Sequence, residues 1–240
     1  MIQTLDRLID GIPLTEYRDE DAGTVRGVMF VVHGHTGERA HVADLATRFA
    51  ENGFLAVAVD AFMHGARREA PYGTGDGRAC TMAMPGVILR TCADLAHLAR
   101  TAYAAYAPLI SFSGTSMGGH IAFQMPKHYP AKAIVPFIGT PDMMRHYAVT
   151  KSDQIGLSEL ERLRPELDAL EIGPDYAAYM KTRIVIASGL DDAVVDYRYA
   201  VDFHDALARA GHDDVSIALY QVGHEVPAEM QEASIAALLD

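Results

Sequence analysis

Leu109-Ile110-Ser111-Phe112-Ser113-Gly114-Thr115-Ser116-Met117-Gly118-Gly119-His120 decides the reading of this chain. A short apolar run leads into Gly-x-Ser-x-Gly, and a helical pattern continues to Tyr129. Strand, tight turn and helix in that order are the pattern of a nucleophile elbow. A serine at the tip of so sharp a turn has strained backbone angles and close neighbours on both sides. Gly114 and Gly118 leave room for the turn, and Gly119 lets the following helix pack on the sheet. The pentapeptide alone also fits an ordinary Gly/Ser-rich turn; the flanking strand and helix make it specific.

Working outward, strands alternate with helices. On the N-terminal side, Asp10-Gly11 marks the turn of an edge hairpin to about Glu20. Val25–Val32 and Phe54–Asp60 read as buried strands, with a helix over Glu38–Asn52 between them. A polar loop over Ala61–Arg78 precedes a helix expected over Gly86–Tyr106. On the C-terminal side, Ala133–Gly139 is a strand blemished by Pro136. Thr140–Lys181 breaks the rhythm with Pro141, Pro165, Pro174 and a charged helical piece at Ser158–Glu171. Arg183–Ser188, a helix over Tyr197–Ala210, Val215–Tyr220 and a helix over Val226–Leu239 complete the alternation. The expected class is α/β, with a mostly parallel central sheet of about eight strands covered by helices on both faces. Residues 1–240 read as a single domain, with 140–181 as an insert. Ligands of such sheets bind at the carboxyl ends of the strands, and every polar cluster below falls at such an end.

A serine hydroxyl needs a base, and the base needs an orienting acid. After Ser116, the candidates follow the last two strands: Gly189-Leu190-Asp191-Asp192-Ala193-Val194-Val195, then Gly223-His224-Glu225-Val226. Ser, Asp, His is the chain order of one class of triad enzymes. His224 is the candidate base, with Gly223 freeing the backbone to turn its ring. Asp191 and Asp192 point to opposite sides in extended backbone, so only one faces His224. Asp192 is chosen; Asp191 reads as a turn or capping residue, and Asp196 as an N-cap before Tyr197. Acyl transfer also needs oxyanion donors. The N–H of Met117 is one, and the loop after Val32 supplies the other, from His35 or, second, Thr36.

His33-x-His35, with His41 and His64 nearby, also resembles part of a metal site. The acidic partner of a binuclear motif is missing, since Glu38 and Arg39 occupy its stretch, so no metal and no cofactor is expected. His64 reads as a structural hydrogen-bonding group. Met117 and His120 read as packing side chains, and Cys80 and Cys92 as inert free thiols.

Together these residues resemble the α/β-hydrolase superfamily. More narrowly, they are similar to the serine esterases related to dienelactone hydrolases and bacterial cinnamoyl (feruloyl) esterases. The resemblance spans about Val25–Val226 and rests on His33–Gly37, Asp60 with His64-Gly65, the elbow, Gly189–Val195 and Gly223–Val226. It implies the α/β-hydrolase fold, supports His35 as donor, and supports Asp192, which lies three residues after a glycine. Dienelactone hydrolases proper use a cysteine where this chain has Ser116, a departure that argues against their particular reaction. The resemblance also implies a small cap at 140–181. Met143, Met144, Tyr147, Tyr176, Tyr179 and Met180 are then expected to roof the acyl group, or else to pack the insert onto the sheet.

A formal net charge of −12 argues against wrapping nucleic acid or binding an anionic membrane. Two cysteines make no disulfide framework. The N-terminus lacks a basic then apolar leader, and no apolar run reaches the ~20 residues of a membrane helix; the expected location is the cytoplasm. The expected function is a serine carboxylester hydrolase acting on a small to medium ester through an acyl-enzyme. A thioesterase, amidase or small peptidase with the same triad is the alternative within enzymes. A non-catalytic ligand-binding protein on the same fold is the alternative from another class. Homodimerisation is left open.

Overall fold

In the computed structural model, which describes residues 1–173 and 176–240, eight strands of the described residues form one sheet. They are β1 (Ile2–Ile9), β2 (Ile12–Asp19), β3 (Val28–Val32), β4 (Leu55–Val59), β5 (Ile110–Thr115), β6 (Ala133–Phe137), β7 (Arg183–Gly189) and β8 (Val215–Tyr220). Their order is β1-β2-β4-β3-β5-β6-β7-β8. β1 and β2 run antiparallel to each other and β2 runs antiparallel to β4; every other pairing is parallel.

Strand β3 shows why the sheet needs two covers. All five of its residues are buried; Val28, Phe30 and Val32 join one apolar cluster, Met29 and Val31 another. Successive strand side chains point to opposite faces, so a strand apolar at every position must be packed on both. Helices α1 (Ala43–Glu51) and, at the C-terminus, Ala228–Leu239 supply one cover through Phe49, Met230 and Ile235. The other comes from α2 (Gly77–Arg100), α3 (Met117–His128) and the helix Arg198–Arg209, through Ile88, Ile121 and Phe203.

One helix starts earlier than expected. Helix α2 begins at Gly77, nine residues before the expected start, with Asp76 Oδ1 capping Ala79 N at 2.9 Å. Pro85, just before the expected start, lies inside the helix. A proline lacks the N–H that would bond the carbonyl four residues back, here Thr81 O. Tyr147 Oη donates to that carbonyl at 2.6 Å instead. Pro136 is tolerated in central strand β6 because the ladder to β7 pairs Ala133, Ile134 and Phe137 and skips Val135 and Pro136.

Segment 140–181 contains α4 (Met143–Arg145), which runs into a π-helical turn at His146–Thr150, and α5 (Leu157–Leu170). Pro174 lies outside the described residues. Leu163, Leu167 and Leu170 of α5 are buried, while its other side carries charges. Its last carbonyls are met by side chains of α3: Gln124 Nε2 reaches Leu170 O at 2.7 Å, and Lys127 Nζ reaches Ala169 O at 2.9 Å. A cation there also suits the negative end of the helix dipole. The remaining helices are α6 (Arg198–Arg209) and α7 (Ala228–Leu239). Among the described residues no helix is long and apolar enough to cross a membrane.

Candidate active site

Ser116 stands between β5 and α3 with φ 55° and ψ −111°, a left-handed conformation that costs a non-glycine residue of order 1–3 kcal/mol. The surroundings impose it. Ser116 N donates to Phe137 O at 3.0 Å, and Ser113 Oγ ties β5 to β6 through Val135 O at 2.7 Å. A Cβ on Gly118 would stand 2.0 Å from Val32 O, so α3 starts this close to β3 only because that residue is glycine.

The ends of β7 and β8 are pressed together in the same way. Leu190 N donates to Tyr220 O at 2.8 Å and Asp191 N to Val222 O at 3.1 Å. A Cβ on Gly189 would lie 2.5 Å from Gly223 O. This contact brings together residues far apart in the chain. His224 Nε2 lies 2.8 Å from Ser116 Oγ, and His224 Nδ1 lies 2.7 Å from Asp192 Oδ2. With the ring proton on Nδ1 facing the carboxylate, Nε2 accepts the serine hydroxyl.

Asp192 has both oxygens engaged, since its Oδ1 accepts the N–H groups of Val194 at 2.8 Å and Val195 at 2.9 Å. Burial pushes its carboxyl up, but the bonds from His224, Val195 and Val194 outweigh it and hold the group below the usual aspartate value. Asp191 faces away and accepts from Gln221 Nε2 at 2.9 Å. Asp196 bonds Arg198 through both its backbone N–H and its guanidinium.

The loop after β3 supplies the facing wall. Thr36 N donates to His64 Nε2 at 3.1 Å, while His64 Nδ1 donates to Phe62 O at 2.8 Å. The Thr36 N–H, second of the two donors expected on this loop, is therefore committed to His64. His33 is likewise engaged at both ring nitrogens, donating to Gly34 O at 2.7 Å and accepting from Ala61 N at 3.1 Å. His35 Nε2 faces Tyr72 Oη at 3.1 Å. Buried Asp60 anchors the base of the loop through the backbone N–H and guanidinium of Arg39. Among the described residues no three His, Cys, Asp or Glu side chains are grouped to hold a metal ion. Cys80 and Cys92 are buried free thiols, and burial pushes both up.

A cavity of about 610 Å³ opens over Ser116, a size that suits a small organic ligand. Gly34, His35, His224 and Val194 line it. None of the residues expected to roof it does so. Met143 and Tyr147 are fully buried in the core, Tyr147 serving the interrupted turn of α2. Met144 packs half-buried against the same cluster, and Tyr179 Oη bonds Phe123 O at 2.9 Å. Tyr176 packs edge-on against Phe203 and lines a separate cavity of about 160 Å³. Met180 is exposed and does not line the cavity over Ser116. Apolar side chains of the insert turn toward α2, α3 and α6, where they lose the most water contact.

The insert reaches the cavity instead with His146 and Lys151, and α2 with Met84. Sequence reasoning missed all three, since none stands in a motif or at a strand end. His120 also lines the cavity, with Nδ1 accepting Thr140 N at 2.8 Å. Burial above all keeps these rings neutral: His35 is pushed down to about 4, His146 to about 3, and His120 well below the ordinary value.

Fold and site define an enzyme of the α/β-hydrolase class. The family model described as serine aminopeptidase, S33, matches residues 23–167, more than half of the chain, and the chain belongs to that family. No curated protein sequence matches it. Among solved structures, it is similar to TT1662 from Thermus thermophilus, with a TM-score of 0.81 and 20% identity over 100% of this chain and 97% of that one. A Klebsiella pneumoniae protein assigned as a dienelactone hydrolase gives a TM-score of 0.72 and 21% identity, again over 100% and 97%. The esterase Pf2001 from Pyrococcus furiosus gives 0.61 and 17% over 100% and 92%. At these identities the likeness establishes the fold.

Proposed function

We propose that the protein is a serine carboxylester hydrolase in which Ser116, His224 and Asp192 act as the triad. The observation that carries this reading is the continuous chain of two hydrogen bonds, 2.8 and 2.7 Å, from the Ser116 hydroxyl through His224 to Asp192. Ser116 Oγ attacks the ester carbonyl carbon as its proton passes to His224 Nε2. The carbonyl oxygen becomes an oxyanion held by the N–H groups of Met117 and His35. His224 then gives the proton to the leaving alcohol, and the acyl group stays on Ser116. Water attacks the acyl-enzyme with His224 again as base, releasing the acid and restoring the serine. Asp192 holds the imidazole in the required tautomer and stabilises its protonated form. The esterases among the similar structures are consistent with this chemistry.

Membership in the serine aminopeptidase family favours one second reading, attack on an amide beside a free amino group. The carboxylates lining the cavity, Asp44 and Glu225, are the groups available to hold such an ammonium, and both are exposed.

Ser116→Ala is expected to lower hydrolysis of 4-nitrophenyl acetate by at least about 10³-fold, with an unchanged circular dichroism spectrum. Wild-type turnover in that variant would refute the assignment. Aminoacyl 4-nitroanilides cleaved faster than matched esters would move the reading to the peptidase.

A further inference from the structure

The cation that faces the cavity is unmatched. Lys151 lines it from the insert, half-buried, and among the described residues its ammonium forms no ion pair or hydrogen bond. Several arginines of this acidic chain are paired with carboxylates, among them Arg39 with Asp60, Arg67 with Asp94 and Arg145 with Asp202. A half-buried ammonium without a partner has lost hydration and gained nothing in return. Burial is the influence that lowers its pKa, with no carboxylate opposing it.

Three observations bear on this charge at the wall of the cavity that Ser116 also lines. Besides burial, which dominates, the Lys151 charge helps to push down His35, His120 and His146, all of which line the cavity with Ser116. The π turn fixes the lysine against that wall, with Lys151 N donating to His146 O at 3.0 Å. His146 itself is 1% exposed, and its Nδ1 has no hydrogen-bond partner among the described residues. The cavity wall thus holds an unpaired ammonium and a buried, unsatisfied ring nitrogen; the carboxylates that also line it, Asp44 and Glu225, are exposed, and neither pairs with Lys151.

We infer that Lys151 anchors an anionic substituent of the substrate, so that the preferred ester carries one carboxylate a few bonds from its scissile carbonyl. The inference deepens the esterase reading and rests on it. A single ammonium matches a single carboxylate as a point charge. The ion pair forms on binding and gives the Lys151 ammonium the partner that no described residue supplies. Lys151 touches substrate away from the reacting atoms, so its effect falls on KM.

Two matched pairs of esters test this. Monoethyl glutarate against ethyl pentanoate places the carboxylate on the acid side; 4-(acetoxymethyl)benzoate against benzyl acetate places it on the alcohol side. The wild-type enzyme is expected to favour the anionic member of one pair by about tenfold or more in kcat/KM, mainly through KM, as hydrogen bonds to charged groups do. Lys151→Gln should bring that ratio near unity, and Lys151→Arg should retain most of it. Equal use of both members of each pair by the wild-type enzyme, or a preference that survives Lys151→Gln, overturns the inference. If no ester is turned over, the esterase reading fails separately. Calorimetric titration of glutarate into wild type and Lys151→Gln then decides. Binding lost in the variant sustains the anion anchor, and binding that is absent or unchanged sinks it.

Discussion

Asp191 and Asp192 differ by one position and end in opposite surroundings. The backbone at the end of β7 turns one carboxylate outward to Gln221 and the other inward to His224 and two N–H groups. Under the proposed mechanism, Asp192→Asn removes the acceptor that fixes the His224 tautomer. Its kcat on 4-nitrophenyl acetate should fall by about 10³–10⁴, while Asp191→Asn stays within a few-fold of wild type. The opposite ranking would move the role by one residue. His64 is a positioning residue in the same reading, since it holds Thr36 N and thereby aims the His35 N–H. His64→Gln keeps an acceptor there and His64→Leu does not. The leucine variant should lose more kcat than the glutamine variant, with KM little changed, and less than the ~10²–10³ that removing an oxyanion donor costs. Equal kcat in the two variants would contradict that role.

Helix α2 depends on a side chain from another element. Pro85 leaves Thr81 O without its intrahelical donor, and Tyr147 supplies the substitute from the π turn of the insert. Tyr147→Phe should therefore destabilise the protein by about 1–3 kcal/mol, the cost of a buried unsatisfied carbonyl. In a Pro85→Ala background the same substitution should cost less, because the new backbone N–H can reach Thr81 O. Urea unfolding of the four proteins in this cycle measures the coupling; simple additivity would refute it. The bond also explains why a tyrosine expected to roof the substrate belongs to the core. A helical breaker and its remedy lie 62 positions apart in the chain (147 minus 85), and no local pattern connects them.

At the scale of the whole molecule, burial of neutral histidines links stability to pH. His33, His35 and His146 are pushed down from 6.5 to about 4, 4 and 3, in each case chiefly by burial. Between those values and 6.5 the unfolded chain binds protons that the folded chain does not. Stability from these groups is thus fully present above about pH 6.5 and is lost as pH falls toward 4. Urea midpoints should drop steadily from pH 7 to pH 5, and the slope should be shallower in His146→Phe. A midpoint that stays level over that range would contradict the linkage.

The sequence by itself determined the alternation of strands and helices, the hairpin at Asp10-Gly11, the elbow at Ser116 and the order in which acid and base follow it. These are legible because hydrophobic period, turn chemistry and glycine requirements act over a few residues. Tertiary structure decided the rest. It carried α2 through Pro85, committed Thr36 N to His64, and turned Met143 and Tyr147 into the core. It also brought His146 and Lys151 to the cavity that Ser116 lines. An insert's outward or inward face depends on the packing of α2, α3 and α6 beneath it, which are contacts between distant segments. Spacing along the chain records which side chains share an element, and only the assembled layers record which of them share a cavity.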